Sequence, residues 1–209
     1  MQEKFLYIPY DEFTSEHHAA FIDYLKNDCV DEKKPAHVNM WSDDWENQPH
    51  TLMYLLKKSD RFSGDNGRYY VMMRESGEIV ASAGIYKSHF DKRLGLCATR
   101  TWVKDGYRHI NAIALHLLPV QKRWAYEHDC QAVGICVNEY NKNLLKVYKR
   151  ARMGEDPSRL KPTDKYGAFY HGVNEVMFPV TIQNTKQWIY YEKLDPSYEF
   201  DWESIRHKE

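Results

Sequence analysis

RTWVKDGYRHINAIALHLLPVQKRWAYEHDCQAVGICVNEYNKNLLKVYKR, residues 100–150, decides the fold. It reads as strand, turn, helix, strand, helix. A strand over 94–103 runs into Tyr107, Arg108 and His109 and then into an apolar-periodic helix over about 109–128. A strand-to-helix turn aims the first free N–H groups of the helix at whatever lies above it. With the helix dipole, those groups suit an anion, commonly a phosphate. Ile110, Ile113, Leu117, Val120 and Trp124 give the helix one apolar stripe, and Pro119 is expected to kink or break it. A second strand over 132–137 is too apolar for an edge and suits a central, parallel position. A helix over 141–152 follows it.

Upstream, 68–74 and 78–86 form a hairpin through Glu75-Ser76-Gly77, and a third strand completes an antiparallel meander. Residues 4–8 are a short strand, and Thr14 caps a helix over 15–27 with Ala20, Phe21, Tyr24 and Leu25 inward. Pro49 is expected to start a second helix with Leu52, Leu55 and Leu56 inward. Between these helices, 30–50 is long, polar and irregular, as segments serving a site often are. Downstream, 155–170 is a polar loop, and 173–182 with 187–194 is a closing hairpin. The domain expected is 1–194, with a charged tail over 195–209 that carries Tyr198 and Trp202.

With 43% apolar residues the chain is not disordered, and a net charge of -1 gives no basic footprint for nucleic acid. Lys142, Lys146, Lys149, Arg150 and Arg152 crowd one helix, which reads as a solvated face or a local patch. Cys29, Cys97, Cys130 and Cys136 form no C-x-x-C pair and read as reduced, mostly buried thiols of a cytoplasmic protein. The N-terminal MQEKFLYIPYDEF shows no cleavage signature, and no stretch is long enough to span a bilayer. His109 and His116 share a helix face but lack a third ligand in reach, so no metal is expected.

This order of elements resembles the GNAT superfamily of acyl-CoA-dependent N-acyltransferases over roughly 68–194. Three stretches carry the resemblance. Trp102-Val103-Lys104-Asp105-Gly106-Tyr107-Arg108 is similar to the family's strand end and the start of its pyrophosphate loop. Asn141-Lys142-Asn143-Leu144-Leu145-Lys146-Val147-Tyr148 is similar to its helix with an early Asn and a later Tyr. The third is the terminal hairpin ending QWIYYEKL. The family's loop has small residues where this chain has Asn111 and Ile113. Glycine there lets the backbone approach a diphosphate.

The resemblance implies an α/β (α+β) fold. Its mixed, mostly antiparallel sheet of six to seven strands is splayed between two central strands and flanked by about four helices. Acetyl-CoA, with no metal, would enter the splay. Its diphosphate would lie on Arg108, His109, Ile110, Asn111, Ala112 and Ile113, and its pantetheine on the backbone of Trp102 and Val103. The same residues also read as an ordinary helix start. Asn141 either bonds the pantetheine or caps its helix. Tyr148 is either the general acid that protonates the leaving thiolate or a core tyrosine. Glu139 is a candidate base and Asn138 a holder of a relay water, although Glu139 also reads as a solvated loop acid. Ser42-Asp43-Asp44-Trp45-Glu46 is either an acidic lip for a cationic amine or a solvated loop.

The implied activity is transfer of an acetyl group to a primary amine of a small-molecule or peptide acceptor, by a monomer or homodimer. An alternative is a GNAT-fold binding module that has lost catalysis. Another is modification of a nucleic-acid base or a protein lysine, against whose nucleic-acid form the charge balance weighs.

Overall fold

The computed structural model describes residues 4–30, 40–108, 112–138, 175–176, 180–182 and 185–199, with backbone alone at 114, 136–138, 175–176, 180–182 and 185–191. The helix expected over 141–152 and the loop expected over 155–170 lie outside the described residues. The chain forms two compact units, Met1–Tyr86 with Ala98–Gln121, and Lys87–Cys97 with Lys122–Glu209.

In the first unit, β1 (Phe5–Pro9) pairs antiparallel with β2 (Gly67–Arg74), Ile8 opposite Val71. Strand β2 pairs antiparallel with β3 (Ile79–Lys87), Val71 opposite Ser82. Strand β3 neighbours β4 (Leu94–Val103), and the Lys104 N–H bonds the Val80 carbonyl at 2.9 Å. This is the expected meander.

Helix α1 (Ser15–Asn27) starts at Thr14, whose Oγ1 accepts the His17 N–H at 3.2 Å. The return bond of the capping box, usually made by Glu or Gln, comes here from His17 Nδ1 to the Thr14 N–H. Phe21, Tyr24 and Leu25 are its buried face. They join Leu52, Met53, Leu55, Phe62, Tyr69 and Val71 in one core cluster.

Helix α2 (Leu52–Lys57) starts three residues later than the Pro49 expectation. Thr51 is the reason. Its hydroxyl donates to the Gln48 carbonyl and accepts the Tyr54 N–H, so the cap forms there and Pro49 is left in the preceding turn.

The long helix divides into a π-helical stretch, Ala112–Leu117, and α3 (Leu118–Glu127). Helix type changes just before Pro119, which puts the missing N–H in a first turn, where it costs least.

In the second unit, Leu94–Cys97 of β4 pairs in parallel with β5 (Ala132–Asn138), Cys97 opposite Ile135. Strand β5 pairs antiparallel with β8 (Thr185–Lys193) along its length. The strand before β8 is in two pieces, β6 (Glu175–Val176) and β7 (Val180–Ile182), both antiparallel to β8. Taken as one interrupted strand, these pieces give the sheet seven strands, within the six to seven expected; counted separately they make eight.

Lys122 and Glu192 form an ion pair at 2.7 Å with side chains only 12% and 16% exposed. Burial still raises the Glu192 carboxyl above its usual range, against the pull of Lys122. Tyr198 is buried, donates to Asp91 at 3.3 Å and lies under the Arg93 guanidinium. Residues 195–199 therefore fold with this unit instead of trailing from it. Cys29, Cys97 and Cys130 are buried free thiols, and burial pushes Cys130 up to about 11. Among the described residues no helix is long and apolar enough to cross a membrane.

A chain of hydroxyls ties the first unit's core to β4. Tyr24 donates to the Trp102 carbonyl at 2.9 Å and Tyr69 to the Arg100 carbonyl at 2.7 Å. Ser82 lies between, 3.2 Å from the Tyr24 oxygen and 3.0 Å from that of Tyr69. Carbonyls only accept, so both phenol protons are committed and the single serine proton serves the middle of the chain. Burial raises both phenol pKa values well above 10, which keeps both neutral donors.

Two expectations follow. Tyr69→Phe leaves the Arg100 carbonyl without this donor and should cost about 1–3 kcal/mol, read from the urea midpoint. The second concerns Arg68, which forks onto Asp11 at 2.9 and 2.8 Å. Its hydrogen bond holds the Asp11 carboxyl below the usual range, with burial opposing. A folded pKa below the unfolded one gives stability that is present above the unfolded value, about 3.9, and lost as pH falls through the folded one. Because the pair is partly exposed its worth is below about 1 kcal/mol. Asp11→Asn should therefore melt slightly earlier than the unsubstituted protein near pH 6 and alongside it near pH 2.

Candidate active site on the β4 bulge

Strand β4 changes character at Ala98. The parallel register with β5 ends at Cys97. Ala98 and Arg100 then take φ of 52° and 49°, left-handed values that cost a non-glycine residue about 1–2 kcal/mol each. The displaced backbone groups are met by side chains. Gln121 Oε1 accepts the Ala98 N–H at 2.8 Å. Thr101 Oγ1 donates to the Ala98 carbonyl at 2.6 Å, and Thr99 Oγ1 to the Gly84 carbonyl at 2.9 Å. A Cβ on Gly84 would overlap the Phe62 ring, so glycine lets that ring and Tyr69 close over β3. With the tyrosine bonds to Arg100 and Trp102, the bulge is a built feature.

The strand's far end is clamped. Lys104 pairs with Asp28 and Glu78, both at 3.2 Å. Tyr107 donates to Glu78 at 3.0 Å and accepts from Arg74 at 2.9 Å. Burial opposes ionisation of Glu78, but the bonds from Lys104, Tyr107 and Arg74 outweigh it and lower its pKa. Gly106, at φ 91°, turns the chain between Lys104 and Tyr107.

The expected catalytic and cofactor-binding residues fall into three groups. Trp102 and Val103 are half-buried on β4, and the Trp102 carbonyl is already engaged by Tyr24. Arg108 is exposed and pairs with Asp105 at 2.8 Å, while Ala112 is buried and Ile113 half-buried in the π-helical stretch. His109, Ile110, Asn111, Glu139, Asn141 and Tyr148 lie outside the described residues, and Asn138 is described by its backbone alone, opposite Gln187.

In the acidic stretch, Asp43 accepts from the Trp41 indole at 3.1 Å and Asp44 from Asn47 at 2.7 Å. Both carboxylates thus serve their own turns. His116 accepts or donates one bond with Tyr7, 2.7 Å from Nδ1. Among the described residues no cluster of three metal-ligating side chains forms.

Gln121 was missed from sequence. It is fully buried, in line with Leu117, Trp124 and Ala125. A polar residue inside an apolar helical stripe was the available signal.

No protein-family model matches the chain, and no curated protein sequence matches it. Solved structures do. An acetyltransferase of the GNAT family from Staphylococcus aureus Mu50 superposes with TM-score 0.53 at 14% identity, over 92% of this chain and 100% of that one. A GCN5-related N-acetyltransferase from Kribbella flavida gives TM-score 0.51 at 12% identity, over 90% and 97%. At such identities the likeness speaks of architecture, and the architecture is plain: this chain is built on the GNAT fold.

Proposed function

We propose that this protein is an acyl-CoA-dependent N-acyltransferase that moves an acetyl group from acetyl-CoA to a primary amine of a small molecule or peptide. The observation that carries the reading is the bulged β4. Its pairing with β5 stops after Cys97, on a fold shared with known acetyltransferases. The residues are compatible with the cosubstrate. Beyond the bulge, Thr101–Val103 returns to strand geometry, the kind of backbone that a pantetheine arm can join as a further strand. Among the described residues the buried Gln121 Nε2 has no partner, an amide donor still open to an oxygen.

Acetyl-CoA supplies the activated acyl carbon. The roles proposed for the chain are these. Trp102 and Val103 present backbone to the pantetheine, and Arg108 with 109–113 offers N–H groups to the diphosphate. Asn141 bonds the pantetheine. Glu139, with a water held by Asn138, takes the proton the amine must lose. The amine nitrogen bonds to the thioester carbon, the carbon–sulfur bond breaks, and Tyr148 gives its phenol proton to the departing thiolate.

The second reading, a fold that binds without catalysis, is favoured by Asn111 and Ile113 in the loop's small-residue positions. Calorimetry separates the two readings: the enzyme gives binding heat with acetyl-CoA and turns it over, and a module without a cradle gives none. For the enzyme, Tyr148→Phe should lower turnover by about a hundredfold or more with cosubstrate affinity nearly unchanged. Collapse of affinity with unchanged turnover per bound complex would remove Tyr148 from the acid role.

A further inference from the structure

The carboxamide of Gln121 has a fixed orientation. The Ala98 N–H can only donate, so the atom 2.8 Å from it is Oε1, and the NH2 group is left with two protons to place. Gln121 is 0% exposed, and among the described residues Nε2 has no hydrogen-bond partner. A buried donor left unpaired is costly. Leu117 and Trp124, its helix neighbours, are buried apolar residues and do not explain a glutamine between them. If the only task at 121 were to receive the Ala98 N–H, the second half of the amide would be a standing cost with no return.

Resting on the acyltransferase reading, we propose that Gln121 recognises the acyl end of the cosubstrate, its NH2 donating to the thioester carbonyl oxygen while Oε1 holds the Ala98 bulge. The pairing of the two halves is what makes the position specific. Oε1 fixes the amide against the strand, so the NH2 cannot swing away to another acceptor. The bulge and the donor are then set together, at the inner end of Thr101–Val103, opposite to the end clamped at Lys104. The ligand class is a thioester carbonyl, and coenzyme A itself, a free thiol, offers no oxygen at that point. Gln121 therefore distinguishes charged from spent cosubstrate.

The test is calorimetry with acetyl-CoA and with coenzyme A on three proteins: the unsubstituted chain, Gln121→Glu and Gln121→Leu. Glu keeps an oxygen for the Ala98 N–H, and Leu keeps neither half of the amide. The unsubstituted protein should prefer acetyl-CoA. Gln121→Glu, measured near pH 8 with the carboxyl ionised, should bind coenzyme A as before and acetyl-CoA about five- to tenfold more weakly, the worth of one hydrogen bond. Gln121→Leu should lose the preference too, whatever its melting temperature. Equal weakening of both ligands in Gln121→Glu would make the residue a brace of the bulge and overturn this inference while leaving the acyltransferase reading intact. No heat from either ligand with the unsubstituted protein would overturn that reading, and this inference with it.

Discussion

A residue that leaves its ladder must have its backbone N–H and carbonyl met by something else. At Ala98 the chain leaves regular β geometry, and everything nearby is arranged to make the departure tolerable. Two non-glycine residues sit at positive φ. Each displaced carbonyl or N–H would cost about 1–3 kcal/mol if left bare, more than the backbone strain itself. The decisive contribution is therefore satisfaction of polar groups. Gln121, Thr101, Thr99, Tyr69 and Tyr24 provide it from four different elements. Because the partners come from α1, β2, β4 and α3, the bulge is fixed by the tertiary structure and not by its own sequence. Ala, Thr and Arg have no intrinsic wish to be there.

The second unit meets the opposite demand, to keep a central strand fully paired. Strand β5 is matched to β8 along all of its residues. At the ladder's edge, Glu192 of β8 pairs with Lys122 of α3 at 2.7 Å, with both side chains largely buried. A buried pair of this kind adds little net stability, since desolvation offsets the attraction, but losing one partner leaves a charge in the core at a cost of about 3–5 kcal/mol. Glu192 stands opposite Val133 in that ladder.

Pattern-borne features were legible in the sequence. The meander, the parallel strand, the capped first helix and the final hairpin all follow from alternation, helical spacing and one threonine. Small displacements had local causes, as where Thr51 outcompetes Pro49 for the helix start. The bulge could not be read. Ala98-Thr99-Arg100-Thr101 alternates like any strand, and its partners are far away along the chain, at 24, 69, 84 and 121. Long-range hydrogen bonds leave no periodic trace, so a site built from them stays hidden where a motif would show. Gln121 left only a faint one, a polar residue in an apolar line.

The loop proposed for the diphosphate shows how one requirement can be divided. Glycine serves such a loop in two separate ways, by allowing positive φ and by letting a ligand come close. Ile113 lies in a π-helical stretch and is not among the residues at positive φ, so its β-branched side chain strains nothing there. The first need is absent at that position. What then remains is placement, and placement is supplied from the flank. Lys104 and Tyr107 are tied through Glu78 to Asp28 and Arg74, so the turn that delivers the chain to Arg108 is held on both sides. A loop poor in glycine has fewer conformations to lose on binding. Lys104 and Tyr107, held through Glu78, fix the backbone as far as Tyr107, so ordering at the flank comes from ion pairs and hydrogen bonds and not from glycine.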